Sequence, residues 1–407
     1  MPVLRNISTL ATCRADGGQG DIHPIRHAAL AWEGPEIRWA GPESALPGEF
    51  RASDTLDAGG RLVIPGLVDC HTHLGFGGWR GDEFEQRIQG RSYLDIARAG
   101  GGIASTVART RELDEAALLA RCRGFLDQML QLGVTTVECK SGYGLDVETE
   151  LRLLRVYRML AEAGPQRIVA TYLGAHVVPA EYRERRREYI DLMAHGMIPR
   201  IAREKLAAFC DAFVEDTAFS VEEAREVLLA GRRHGLRPRL HADQLTSGGG
   251  AELAAEVGAA SADHLECISD EGIVRMARAG VVAVSLPLAS LYLHHAPMPA
   301  RRLIEAGVPL AVATDFNPGS APSYHLPLAM MLACTLQRMT PAEVLKGATI
   351  IAARALDLAD RVGSLEPDKS ADFAIIDAPD VNHWLYHFRA NACRMAVVGG
   401  ETVWEGR

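Results

Sequence analysis

Apolar and polar positions divide this chain into three stretches with different periods. Up to about residue 60 the pattern is short, alternating and broken by Gly and Pro. Arg26 to Trp32, the turn Glu33-Gly34-Pro35, and Glu36 to Pro42 read as two strands joined by a turn. From Leu62 onward, apolar runs of strand length alternate with segments whose apolar residues recur at helical spacing. The first run, Leu62 to Asp69, is followed by Cys70-His71-Thr72-His73-Leu74 and reads as a buried strand. Further strands are predicted at Thr135 to Lys140, Ile168 to Ala175, Ala207 to Val214, Pro238 to Ala242, Ala259 to His264, Val281 to Leu286 and Pro309 to Thr314. Amphipathic segments such as Val147 to Ala163 and Val221 to His234 lie between them.

Eight alternating units in one run argue for an α/β fold, a (β/α)8 TIM-like barrel. The tail returns to β character. Gly363 to Asp372 is a turn-rich loop, and Phe373 to Ile376 and Ala396 to Val398 read as strands. The simplest arrangement joins both chain ends, residues 1–60 plus 361–407, into a small β-sandwich domain beside a barrel over 61–360. One stretch breaks the rhythm. Residues 75–106 hold eight glycines and many charges, too long an insertion for a simple turn, and such loops are often functional. Helices are expected over 92–99 and 112–132, the latter carrying Leu118, Cys122, Phe125 and Met129 on one face.

Composition narrows the partners. A chain of 407 residues with net charge −9 offers no reason to expect nucleic acid or an anionic membrane. The one dense basic run, Arg183 to Arg187, contains Glu184 and is followed by Glu188, the mark of a solvated helix face. The eight cysteines form no Cys-x-x-Cys pair. The start, Met1-Pro2-Val3-Leu4-Arg5-Asn6, lacks the apolar core of a secretion signal, and no window has the length of a membrane span. A cytoplasmic location with reduced thiols is therefore expected.

Barrel chemistry sits at the C-terminal ends of the strands. There stand His71 and His73, Lys140, His176, Glu215, His241, His264 and Asp315. Five of the 14 histidines fall at the same end of four different predicted strands. A lone strand-end His is more often a structural hydrogen-bonding group, and Asp315 alone could be a helix cap. His-x-His on one strand face is different, because residues two apart point the same way. Several imidazoles plus a carboxylate suit Zn²⁺, or Fe²⁺ or Mn²⁺ in a looser geometry. Lys140 reads as a structural ammonium, ion-paired near the mouth.

Val63-Ile64-Pro65-Gly66-Leu67-Val68-Asp69-Cys70-His71-Thr72-His73 resembles the first-strand signature of the amidohydrolase superfamily, and Gly363 to Ile376 resembles its closing β segment. Phe76 to Glu85, Ala99 to Val107, Glu138 to Leu145, Tyr172 to His176, His241 to Gln244, Ala262 to Glu266 and Thr314 to Gly319 are similar to the imidazolonepropionase family within it. The resemblance implies hydrolysis of 4-imidazolone-5-propanoate to N-formimidoyl-L-glutamate in histidine degradation, with one divalent or trivalent metal ion, Zn or Fe. It places the metal ligands on His71, His73, His241 and Asp315. It places substrate contacts on Arg80, Tyr143, His176, Gln244, Asn317, Gly319 and Ser320. Asp315 is the expected general base and His264 the expected water-orienting or oxyanion-stabilising group. Trp79 and Ser320 stand where Asn and Thr are common. Gly75, Gly77 and Gly78 suggest a lid around Arg80. A homodimer is what the resemblance suggests. Deaminases of the superfamily usually carry Glu three residues after the fifth-strand His; Gln244 occupies that position here and cannot shuttle a proton.

Overall fold

The computed structural model describes residues 1–51, 53–91, 95–96 and 100–406. The helix expected over 92–99 lies mostly outside these residues, as does Ala99 of the Gly-rich motif.

The sequence begins with β1 (Val3–Ala11), β2 (Pro24–Glu33), β3 (Glu36–Pro42) and β4 (Thr55–Pro65). Then come eight parallel strands: β5 (Leu67–Asp69), β6 (Val134–Lys140), β7 (Arg167–Ala175), β8 (Phe209–Val214), β9 (Arg237–Ala242), β10 (Ser261–His264), β11 (Val282–Ser285) and β12 (Leu310–Val312). Their spatial order follows the chain. Just past the last strand the ring draws together. Thr72 bridges Phe316 in parallel register, and the Asp315 N–H donates to the His71 carbonyl at 3.0 Å. The first and last strand ends, which both carry site residues, are therefore neighbours.

The opening run is not one strand. Its first half, Leu62 to Pro65, belongs to β4, which pairs with β1 and with β13 (Phe373–Ile376). Only Leu67 to Asp69 enters the barrel. Gly66 makes the switch. A Cβ there would lie 2.1 Å from the Thr135 hydroxyl, and its N–H donates to the Asp372 carbonyl at 2.9 Å. Both halves are buried, so hydropathy alone shows no seam between them.

The chain ends form one seven-stranded sheet, completed by β14 (Cys393–Val398) and β15 (Glu401–Glu405) in the order β15-β14-β13-β4-β1-β2-β3. The sheet curls on itself. Trp32 of β2 meets Phe373 of β13 edge-on, with ring centroids 5.2 Å apart, although β4 and β1 stand between those strands. The two faces enclose Leu4, Ile7, Leu30, Val63 and Ile375.

Helices cover the barrel where capping residues start them. Asp146 accepts from the Thr149 N–H ahead of Val147–Ala163. Ser220 and Glu223 form a reciprocal capping box for Val221–Arg233. The helix expected over 112–132 is Glu115–Leu130, started by Asp114, which accepts from the Ala117 N–H; a separate helix, Ile103–Glu112, precedes it. The glycine-rich insertion also contains a helix, Gly81–Ile88. Phe84 and Ile88 stand four apart on it and stay exposed, a one-turn apolar pair too short to read as a helix among the surrounding glycines and charges. The glycines before it serve close packing. A Cβ at Gly77 would lie 2.3 Å from the Arg109 carbonyl oxygen. Among the described residues no helix is long and apolar enough to cross a membrane. All eight cysteines are free thiols.

Candidate metal centre and substrate cavity

His71 and His73 leave β5 two residues apart and point to the same side, toward Asp315 across the barrel closure. Asp315 Oδ1 lies 3.4 Å from Nε2 of each ring. His241, at the end of β9, brings its Nε2 to 3.3 Å from that of His73. Carboxylates set the orientation of two rings from behind. His71 Nδ1 is 2.6 Å from Asp263, and His241 Nδ1 is 3.1 Å from Asp211. Each ring then holds its proton on Nδ1 and presents a bare Nε2 to the centre. Burial pushes the pKa of His73 and His241 down, so both rings are neutral, the form that binds a metal. Nε2 of His71 is buried and has no hydrogen-bond partner.

Electron pairs thus face electron pairs at one buried point, an arrangement that a cation satisfies. Among the described residues two overlapping groups have ligand atoms within 4.8 Å of one another: His71, His73 and Asp315, and His71, His241 and His264. His264 follows Asp263 directly, and neighbours on a strand point to opposite faces. The backbone of His264 takes φ 82°, which re-aims its ring toward the centre. Asp315 uses a left-handed φ of 56° in the same way.

Beneath the ligands lies a layer that inspection of strand ends alone missed. Lys140 Nζ donates to Glu138 at 3.0 Å and to Asp211 at 2.8 Å, and lies 3.6 Å from Asp263. Arg239 donates to Asp263 at 3.1 Å and to the Cys70 carbonyl at 2.7 Å. All five side chains are fully buried. Burial and Arg239 oppose the charge on Lys140, but the three carboxylates outweigh them and raise its pKa. Burial likewise opposes ionisation of Asp263, yet Arg239, His71 and Lys140 hold it well below the usual carboxylate range. Lys140 is thus a structural, ion-paired ammonium, as its position suggested. A signal was present: Glu138 precedes Lys140 by two and Arg239 precedes His241 by two, charges on the inward face of otherwise apolar strands.

A cavity of about 1280 Å³ opens above this centre. It is lined by His73, Arg80, Tyr143, His176, Gln244, His264, Asp315, Asn317, Gly319 and Ser320, so every expected substrate residue borders it. His176 stacks on His73 with centroids 5.2 Å apart, and Tyr143 lies 5.3 Å from His176. Burial pushes His176 down to about 3. Arg80 is buried at the N-terminal edge of the Gly81–Ile88 helix, and its guanidinium lies on Gly319, where a Cβ would come within 2.3 Å of it. Its Nε has no partner. Asn317 is occupied within its own loop: Oδ1 accepts from the Gly319 and Ser320 amides at 2.8 Å each, and Nδ2 donates to the Asp315 carbonyl at 2.6 Å. Gln244 stands on a loop that Glu215 pins through the Leu245 amide at 2.8 Å. Trp79 does not border the cavity; its ring packs on Phe76 with centroids 5.0 Å apart.

Comparison with known proteins agrees with this arrangement. Residues 62–403 match the amidohydrolase family. The chain is 46% identical over 387 residues to the imidazolonepropionase of Geobacillus thermodenitrificans (strain NG80-2), covering 94% of this chain and 91% of that one. It is 44% identical over 416 residues to that of Brevibacillus brevis (strain 47 / JCM 6285 / NBRC 100599), covering 99% and 98%. Among solved structures, a triazine hydrolase variant superimposes with TM-score 0.80 at 18% identity, covering 99% of this chain and 94% of that one. E. coli guanine deaminase does so with TM-score 0.77 at 16% identity, covering 100% of both. Those two likenesses concern the fold. The donor set and the family together indicate a divalent metal at the mouth of the barrel. On the strength of its near full-length relatives, the chain belongs to the amidohydrolase family and, within it, to the imidazolonepropionases.

Proposed function

We propose that this chain hydrolyses 4-imidazolone-5-propanoate to N-formimidoyl-L-glutamate in histidine degradation. The observation that carries the reading is the shared cavity, which sets a buried guanidinium, Arg80, beside a cluster of imidazoles and a carboxylate fit for a metal. A small anionic ring substrate matches both. His71, His73, His241 and Asp315 would hold the ion, zinc or iron. Buried carboxylates outnumber buried cations in the layer below, an excess that a bound cation offsets. When bound, the ion supplies acidity to a water molecule and polarisation to the ring carbonyl.

The chain's own residues do the rest. Arg80 pairs with the propionate through its planar fork. Tyr143 adds a hydroxyl, and His176 and Gln244 face the polar edge of the ring. Gly319 leaves room for the Arg80 guanidinium, and Asn317 with Ser320 holds that turn in shape. Asp315 accepts a proton from the attacking water and passes it to the leaving ring nitrogen, opening the C–N bond. His264 orients the water or stabilises the developing oxyanion. We read residues 1–60 with 361–407, joined by the rest of β4 up to Pro65, as one β domain and the residues from there to 360 as the catalytic barrel, in a cytoplasmic homodimer.

The deciding experiment is turnover of 4-imidazolone-5-propanoate by protein of measured metal content, run beside ammonia release from purines and pyrimidines. Ring opening without ammonia release from nucleobases is expected. Ammonia release with no ring opening would overturn the assignment.

A further inference from the structure

We propose that Glu150 is a positioning residue for the substrate side of this site, acting through Tyr143 and His176. The inference rests on the reading above that those two side chains meet the substrate. Glu150 is the fourth residue of the Val147–Ala163 helix, and its side chain is fully buried. Instead of following the helix, the carboxylate turns back under the loop that joins β6 to it. Oε1 accepts from the Gly144 amide at 2.8 Å and from the Leu145 amide at 2.9 Å. Both oxygens accept from the Gly142 amide at 3.1 Å. After burial, which raises its pKa, the strongest influences on Glu150 are hydrogen bonds from Ser141, Leu145, Gly144 and Gly142, with no Lys or Arg among them.

Burying a carboxylate without a cation is costly, and the helix N-terminus offsets only part of that. A polar clamp on an ordinary loop could be replaced by a better-packed apolar turn. What this loop holds gives the clamp its use. The Gly142 carbonyl accepts from His176 Nδ1 at 2.9 Å, which leaves the lone pair of His176 on Nε2. Tyr143 projects from the centre of the clamped segment, with its ring 5.7 Å from His73. The backbone reaches this shape through φ 103° at Gly142 and φ 56° at Leu145. One carboxylate thereby sets the rotation of a tyrosine and the tautomer of a histidine that face the cavity together.

The test uses the metal-loaded enzyme and the variants Glu150→Gln, Tyr143→Phe and His176→Asn, with double variants joining the first to each of the others. Glu150→Gln should raise KM for the imidazolone about 10-fold or more, as removing a hydrogen-bonding partner behind a site commonly does. It should lower kcat less, and leave metal per chain and melting temperature near the wild-type values. Tyr143→Phe and His176→Asn should each raise KM. Each double variant should be no worse than its more damaged parent, because residues acting as one unit are not additive. Glu150→Asp, which keeps the charge but shortens the reach, should show the same KM-weighted loss. Raised KM in the two cavity variants with losses that multiply in the doubles overturns the inference alone, as does wild-type KM in Glu150→Gln. Wild-type KM in both Tyr143→Phe and His176→Asn overturns the substrate-side reading and the inference with it.

Discussion

Arg80 and Asp315 share one cavity and depend on different physics. Arg80 is a buried cation whose Nη1 lies 3.8 Å from Glu83 and whose Nε has no hydrogen-bond partner, which leaves donor capacity for a substrate carboxylate. Arg80→Ala is expected to raise KM for the propionate-bearing substrate by roughly 30- to 150-fold, the effect of losing charge-assisted hydrogen bonds worth about 2–3 kcal/mol. Metal content should stay unchanged; an unaltered KM in steady-state assays would remove the carboxylate assignment. Asp315 stands at the meeting point of the imidazoles and is the only carboxylate of its metal-binding group. Asp315→Ala should abolish turnover even at saturating metal, and full turnover in that variant would exclude it as ligand and base together. Gly319→Ala offers a steric check. Its Cβ would overlap the Arg80 guanidinium, so KM should rise as in Arg80→Ala while Arg80 itself remains.

At the scale of elements, strands were legible because they are buried and punctuated. β3 begins and ends where alternation and the following loop place it, at Glu36 and Pro42. β7 agrees with its expected start to one residue. Two elements misled for definite reasons. The run from Leu62 serves two sheets, and the side chains on both sides of Gly66 are buried, so no polarity change marks the boundary. The Gly81–Ile88 helix has no buried residue, and its apolar pair Phe84 and Ile88 spans a single turn, too short a pattern to stand out in a glycine-rich stretch. The charge layer below the metal ligands belongs to this scale too, since β6, β8, β9 and β10 each contribute to it. Lys140→Met would leave Glu138, Asp211 and Asp263 short of a cation. It is expected to cost about 3–5 kcal/mol in urea unfolding, as removal of one partner from a buried ionic group does. A loss below about 1 kcal/mol would mean that Arg239 alone balances the layer.

For the whole molecule, the same layer couples stability to pH. Asp211 and Asp263 have folded pKa values below their unfolded ones. Their contribution is complete above the unfolded value of about 3.9 and is lost as pH falls through the folded values. Lys140 is raised, so its contribution is complete below about 10.4 and is lost as pH climbs through its folded pKa. Chelator-treated protein should therefore show a stability plateau between those limits, and the Lys140→Met variant should lose the alkaline limb. Metal binding adds to the same balance. At a hundred times its Kd, an ion bound only by the folded chain adds about 2.7 kcal/mol, visible as a higher melting temperature. Zinc or iron that leaves the melting temperature unchanged would count against the centre described here.

What the sequence determined by itself was local in origin. Apolar runs of strand length, set between segments of helical spacing, placed the barrel strands, and the strand ends named the imidazoles, because a residue's type and its near neighbours suffice for both. The resemblance of the Phe76 to Glu85 and Glu138 to Leu145 motifs to the imidazolonepropionase family narrowed the chemistry. Tertiary structure decided what depends on distance between remote residues. Asp263 holds His71 across 192 positions of chain, and Thr314 bonds Asp69 across 245. No local pattern encodes such pairs, since they exist only once the closing barrel brings those residues within hydrogen-bond reach. The same holds for Glu150: its burial under the Gly142 to Leu145 turn, and so its hold on His176, follows from how a helix docks on a strand.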